Sequence, residues 1–452
     1  MRSNDNENLE KITQNVLREI EKRNIRTADV LAKRSREDSL TIRQGQVETV
    51  SRKITRGVGI RVIMEGRLGF AHSSDVSERS LSDLVDRAVA LAKESSPDPG
   101  HGLAEAISAP ISSNLDLVDT TISDISVEEK IGIALRTEKA MFASDKRIAR
   151  SGGCHWEDGD DKTIIANTSG LTYSDRGTGF AIVAQSVAEN QGQMQSGWWW
   201  TQARHREDLD SPEEVGTEAG KRAVSLLGAR GISTVKAPVI FEAPVAAQVL
   251  AVLFAAMNGE VIRRRASYLV DKLNDGVASD IITVIDDGSL PRKLGSQAVD
   301  DEGIPTSRKV LLDKGVLKQY LFDIRGARLS NAKPTGNAHR SYGSLPSVGP
   351  TNLYLEPGDI SKEDLIKSVA NGLFLTRIMG SGVNLVTGDV SWGGSGIWIE
   401  NGKLAYPVEG ITIAGNLMNL WKNIDSVAND LDWRSNVVSP SFKVSEIMIG
   451  GK

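Results

Sequence analysis

The chain has 452 residues, 40% of them apolar and 25% charged, with 43 glycines, which describes a globular protein rich in strands and turns rather than a disordered or fibrous one. A formal charge of -5 at pH 7 gives none of the basic footprint that a phosphate backbone demands, so nucleic acid is not expected as a ligand. The single cysteine, Cys154, excludes an internal disulfide, and a polar N-terminus with no apolar run of about 18 residues argues against a signal peptide and a membrane span, so a cytoplasmic location is expected.

Taken in chain order, Leu9, Ile12, Val16, Leu17 and Ile20 fall at helical spacing and predict an amphipathic opening helix. The segments ADVLAKRS, SLTIRQGQVETVSRK and GVGIRVIMEGRLGFA then alternate as strands, with EGR at residues 65–67 marking a hairpin. A second helix opens on Ser77 and buries Leu81, Leu84, Val85, Ala88 and Val89 along one face. SSPDPGHG and ISAPISSN, over residues 95–102 and 107–114, read as loops, and VEEKIGIALRTEKAMFASD as a third helix before further strands to residue 204. A fourth helix, SPEEVGTEAGKRAVSLLGAR, is expected to end at Gly231, and a new unit opens with the strand APVIFEA. From Lys309 onward short strands alternate with glycine turns, among them an Asn401-Gly402 hairpin, and no repeat of solenoid length is visible. The expected fold is therefore α+β, with an N-terminal mixed domain carrying an antiparallel sheet over residues 1–230 and a C-terminal β-rich domain over residues 231–452.

The chemical motifs are sparse. GSGVNLVTGDVSWGGSGIWIENGK lacks the Lys-Ser/Thr ending and the following helix of a phosphate loop. Cys154 and His155 are neighbours on a strand, so their side chains point to opposite faces, and a lone buried thiol is the expected role of Cys154. His72, His101, His155, His205 and His339 show no metal-ligand spacing. The run Asp300, Asp301, Glu302 is the composition of a hard-cation site, with a solvated strand-entry loop as the commoner meaning. Arg263, Arg264 and Arg265 read as a solvated turn. Trp198, Trp199 and Trp200 must split between two faces of a strand, which leaves at least one indole exposed or covered by another chain and points to a dimer interface. No Gly-x-Ser-x-Gly stands between a strand and a helix. The residues alone give no complete catalytic set and no metal site.

Four stretches in order, DDEGIPTSRKVLLDKGVLKQYLFD, TGNAHR, GVNLVTGDVSWGGSGIWIENGK and PVEGITIAGNL, resemble the TldD/TldE family, whose TldE members are also called PmbA. The N-terminal GQVETVSRKITRGVGIRVIMEGRLGFAHSSD fits the first domain of the same family. The resemblance implies a cytosolic two-subunit zinc peptidase that cuts unfolded or short peptides in a closed chamber, matures ribosomally made peptide antibiotics and degrades antitoxins; modulator of DNA gyrase is an older name for such proteins. In the TldD subunit, a His-Glu-x-x-x-His segment and a cysteine near the C-terminus hold the metal. Anchored on the pair Gly259 and Glu260, that segment falls on residues 250–255, where Leu250, Ala251 and Ala255 occupy the positions of the histidine, the glutamate and the second histidine. No cysteine lies between residues 425 and 452.

The resemblance thus implies the metal-free TldE type, with no catalytic and no metal-binding residue in this chain and zinc in a TldD-type partner. The residues 250–255 with Met257 form a helix segment apolar all round, which belongs in a core. The expected function is that of a non-catalytic subunit that closes the chamber in a heterodimer and helps to hold unfolded or short peptides through strand walls. Asn337, His339 and Arg340 are the candidate peptide-binding residues. The alternatives are a homodimeric peptide-binding or scaffolding protein, and a hydrolase with an unrecognised site near His339, Arg340 and Asp389.

Overall fold

The computed structural model describes residues 6–105, 114–380 and 382–451. The loop predicted at residues 107–114 and the first five residues of the polar N-terminus therefore lie almost wholly outside the described residues. The fold is α+β, as the strand patterns predict.

The N-terminal part is one antiparallel sheet of six long strands, β1 (Ala28–Arg43), β2 (Gln46–Met64), β3 (Arg67–Ser73), β4 (Ile148–Asn167), β5 (Thr172–Asn190) and β6 (Gln193–Ala203), in the order β3-β2-β1-β4-β5-β6. The Glu65-Gly66 turn joins β2 to β3, with both residues at positive φ. Sequence patterning breaks the first strand near Ser35, where RSRED interrupts the apolar alternation. In the structure β1 runs straight through, because each charge there has a partner on a neighbouring element. Arg36 Nε donates to Asp160 Oδ1 of β4 at 2.7 Å, Asp38 accepts from Arg52 of β2 at 2.7 Å, and the Lys130 ammonium reaches Asp38 at 2.9 Å. Opposite charges across a ladder stabilise it as apolar pairs do.

Two helix pairs cover this sheet. α1 (Asn6–Lys22) and α2 (Glu78–Glu94) bury Leu9, Ile12, Val16, Ile20, Leu81, Leu84, Val85 and Ala88 against Val30, Ala32, Val58, Ile60 and Val62. α3 (Val127–Ala143) and α4 (Pro212–Ser225) pack with Cys154, Trp156, Phe180 and Ile182. α4 starts on a capping box, in which the Ser211 hydroxyl accepts from Glu214 N and Glu214 reaches back to Ser211 N. It stops at Ser225 rather than near Gly231, and the chain turns out at Gly228 with φ +78.

The second half builds two sheets. β7 (Val235–Phe241) leads directly into α5 (Ala243–Ala256) and the short α6 (Gly259–Arg263). A small sheet then forms from β8 (Val284–Asp287), β9 (Arg308–Asp313) and β10 (Leu353–Leu355), edged by two-residue strands. The larger sheet contains β11 (Asn371–Met379), β12 (Asp389–Glu400), β13 (Lys403–Asn416), β14 (Ile424–Val427) and β15 (Phe442–Gly450), in the order β13-β12-β11-β7-β15-β14. Residues 412–414 of β13 also pair with residues 448–450 of β15, so five strands close on themselves and leave only β14 outside the ring. Asn401 and Gly402, both at positive φ, form the predicted hairpin turn between β12 and β13. One core cluster joins this sheet to α5, uniting Val239, Phe241, Leu373, Leu375, Ile411 and Val444 with Val249, Leu250 and Leu253.

The acidic run at residues 300–302 is not the solvated loop that its composition suggests. Asp300 and Glu302 are buried, and Glu302 ties the second half to the first. Glu302 accepts from Arg61 of β2 at 2.7 Å and from Ile324 N at 2.8 Å, while Asp300 accepts from Ala338 N at 2.9 Å. Burial, with the Glu302 charge beside it, pushes the Asp300 carboxyl up to about 7. Among the described residues no helix is long and apolar enough to cross a membrane.

Candidate functional site

The principal cleft, about 900 Å³, lies where β6, α4, α5 and residues 430–439 meet. Gly197 sets its near wall. A Cβ there would be driven into the backbone of Ala219 and Ala223, so only glycine lets α4 lie flush on β6 beside the tryptophans. The Ser186 hydroxyl, buried beneath, donates to Ala219 O at 2.7 Å and fixes the same contact.

The three tryptophans form one aromatic wall. Trp198 and Trp200, two apart on β6, share a face and stack with ring centroids 4.7 Å apart. Trp198 is 45% exposed. Trp199 carries two guanidinium groups within cation–π range, Arg222 Cζ 3.9 Å and Arg434 Cζ 4.6 Å from its ring centre. Each arginine is in turn held by two carboxylates. Arg222 of α4 donates to Glu218 at 3.0 Å and to Glu242 at 3.1 Å. Arg434 donates to Asp210 at 2.6 Å and pairs with Asp432, and it also reaches Trp200 O at 2.7 Å.

The far wall is the outer face of α5. Pro244, Ala247, Gln248 and Ala251 line the cleft, whereas Val245, Val249, Leu250 and Leu253 face the core. The helix is therefore two-sided rather than enclosed all round as its apolar sequence predicts, because alanine serves at an exposed position as readily as at a buried one. Of the three positions that the resemblance aligns with the metal motif, Leu250 is fully buried, Ala255 is partly exposed, and Ala251 is exposed on the cleft. None carries a donor atom, so the side chains present on α5 do not fit a metal ion. Among the described residues no group of three or more His, Cys, Asp or Glu side chains is gathered as a metal site would require. Glu260, just past α5, is engaged by Arg263 and Arg264. The Arg263 hydrogen bond, aided by Arg264 against the opposing effect of burial, holds its carboxyl down to about 2. Gly259 starts α6 where a Cβ would strike the Phe322 ring.

The TGNAHR residues stand elsewhere. Asn337 is wholly buried, donating to Asp286 at 2.8 Å and to Gly349 O at 3.0 Å. The Arg340 guanidinium is spent on Asp29, and only His339 of the three keeps part of its surface open. Asn337 and Arg340 thus spend their donors within the protein, and although Asn337 Oδ1 has no partner, both side chains are buried away from any peptide. Asp389, exposed, accepts from Thr387 and from Asn416 at 3.0 Å. The Arg263 and Arg264 side chains turn back onto Glu260, and Arg265 pairs with Asp271 at 3.0 Å. Cys154 is buried and free, and burial, with Glu138 adding, pushes its thiol up to about 12. The neighbouring His155 turns instead to Thr41, 2.9 Å away.

Sequence reasoning missed Arg222, Glu242, Gln248, Arg434 and Asp432 as cleft residues. They come from three separate stretches of chain, and no local spacing marks them.

This two-part α+β fold, a long antiparallel sheet followed by a closed five-stranded ring with a helix exposed on a cleft, is the architecture of a known class of metallopeptidase-related proteins. The description of the PmbA/TldA metallopeptidase C-terminal domain matches residues 234–451, that of the central domain residues 120–227, and that of domain 1 residues 28–92. Metalloprotease PmbA of Escherichia coli O157:H7 is 34% identical over 429 residues, covering 94% of this chain and 92% of that protein. A Metalloprotease TldD homolog of Haemophilus influenzae is 26% identical, covering 95% and 94%. A solved Thermotoga maritima structure, described as that of a DNA gyrase modulator, superposes with a TM-score of 0.88 at 28% identity over 98% of this chain and 100% of that one. TldE from Thermococcus kodakarensis shares the fold, with a TM-score of 0.88 at 21% identity over 97% of this chain and 100% of that one. The chain belongs to the TldD/TldE (PmbA) family.

Proposed function

We propose that this chain is the non-catalytic subunit of a TldD/TldE-type heterodimeric zinc peptidase, working in the cytoplasm on unfolded or short peptides. The observation that carries the reading is the cleft face of α5, where Ala251 stands in the aligned position of the general-base glutamate. A methyl group can neither accept a proton from water nor ligate an ion. The higher identity to a PmbA relative than to a TldD homologue supports the same side of the family. In this reading residues 1–230 and 231–452 act as two domains, and the cleft between β6, α4 and α5 is the wall that this subunit presents to the peptide. Its exposed Trp198 and Gln248 hold and orient the chain, while chemistry is supplied by zinc in the partner.

Co-expression with a TldD-type chain, followed by size-exclusion chromatography with light scattering, metal analysis and a peptide-cleavage assay, tests this. A heterodimer that cleaves, zinc recovered only with the partner, and an inactive isolated chain are expected. Enzyme-like cleavage by the isolated chain, or a clean monomer of about 49 kDa in the presence of the partner, would overturn it.

A further inference from the structure

The charge of the cleft goes beyond this reading and rests on it. Two arginines line the wall, yet neither is available to an anion. Arg222 is clasped by Glu218 and Glu242, Arg434 by Asp210 and Asp432, and both lie against the Trp199 ring. Each of these triads holds one cation between two carboxylates and so carries one surplus negative charge. Across the whole wall seven carboxylates stand against four cationic side chains. A concave surface with apolar walls concentrates such a field. Beside it, the stacked Trp198 and Trp200 present an indole face of which nearly half of Trp198 is open.

We propose that this cleft selects peptides by positive charge, seating a lysine or arginine side chain of an extended peptide on the Trp198 indole, in a cleft that the surplus carboxylates also line. The indole binds the cation through its π face, and the aliphatic stem of the side chain packs on the exposed Ala251 and the half-buried Ala247 of α5. A peptide bearing glutamate at the same place meets a net like charge and finds both guanidinium groups spent, with Lys221 and Lys362 as the other cations of the lining. No covalent step is involved; the cleft sorts and holds.

The test uses three unstructured, fluorophore-labelled peptides of one length that differ only in two central residues, Lys, Ser or Glu. Their affinities for the full chain, alone and with a TldD-type partner, are read by fluorescence anisotropy at low and high salt. The lysine peptide is expected to bind about tenfold tighter than the serine peptide, and the glutamate peptide more weakly than either, with the lysine advantage shrinking as salt rises. Trp198→Leu, at an exposed position, and Asp432→Asn, which makes the Arg434 triad neutral, are each expected to shrink the ratio of lysine to serine affinities, with folding checked by circular dichroism. Equal affinity for all three peptides, or a lysine preference that survives both substitutions, would overturn this inference while leaving the peptide-holding function standing. Failure of every peptide to bind would remove both.

Discussion

Arg340 Nη1 lies 3.1 Å from Oδ1 of Asp29, a residue 311 positions earlier in the chain, and both side chains are almost fully buried. Arg61 approaches the same carboxylate from β2, with Nε 3.1 Å from Oδ1, and spends its Nη1 on Glu302. One carboxylate of β1 therefore anchors a guanidinium of its own sheet and one from the second half of the chain.

Removing that carboxylate leaves two buried guanidinium groups short of a partner. Asp29→Ala is expected to cost about 3–5 kcal/mol, read as a shift of the denaturant midpoint. The effect depends on pH. Burial acts to raise the Asp29 carboxyl, but the charges of Arg340 and Arg61 outweigh it and hold it at about 2. The unfolded value is higher, about 3.9. A depressed folded-state pKa stabilises fully above the unfolded value and is lost as pH falls through the folded one, so the gap between wild type and Asp29→Asn narrows from about pH 4 to about pH 2. A gap that stays constant across this window would show that the pairing adds nothing.

The two faces of α5 respond differently to substitution. Leu253 is 1% exposed within the core cluster shared with the five-stranded ring, and Leu253→Ala is expected to destabilise by about 2–5 kcal/mol. Ala251→Ser, on the cleft side, is expected to stay within about 0.5 kcal/mol. Thermal and urea unfolding of both variants measure this, and equal effects would mean that the helix is not two-sided.

Gly197→Val forces a side chain into the α4 backbone. The expected result is a loss of about 1–3 kcal/mol by overpacking, with weakened peptide binding as α4 and its Glu218 and Arg222 are pushed from the cleft. A variant as stable as the wild type, with its peptide affinity intact, would show that the wall yields without consequence.

Cys154 is expected to be inert in the folded protein, since the thiolate is the reactive form and burial pushes the thiol up to about 12. Iodoacetamide at pH 8 followed by mass spectrometry should show no adduct on the native chain and one after denaturation. Rapid labelling under native conditions would place the thiol at the surface.

Much of the scaffold was legible because its signals are local. Leu9, Ile12, Val16 and Ile20 recur at helical spacing and are buried together in α1, and the turns at Glu65-Gly66 and Asn401-Gly402 need only the positive φ that their residues tolerate. The passage of β1 through residues 34–38 was not legible, since Arg36 and Asp38 are neutralised by Arg52 on the paired strand and by Asp160 and Lys130, which lie far off in sequence. Asp300 and Glu302 misled for the same reason: an acidic run reads as solvated until its donors are known.

By itself the sequence determined the α+β class, the family resemblance and the loss of every donor at Leu250, Ala251 and Ala255, because these depend on which residues follow one another. Only the tertiary structure decided that Ala251 faces a cleft while Leu250 faces the core, and that Arg222 and Arg434 meet over Trp199 between four carboxylates. Those relations join residues of β6, α4, α5 and the 430–439 segment, and whether a charge there is free or spent is fixed by what folding brings within a few ångströms of it.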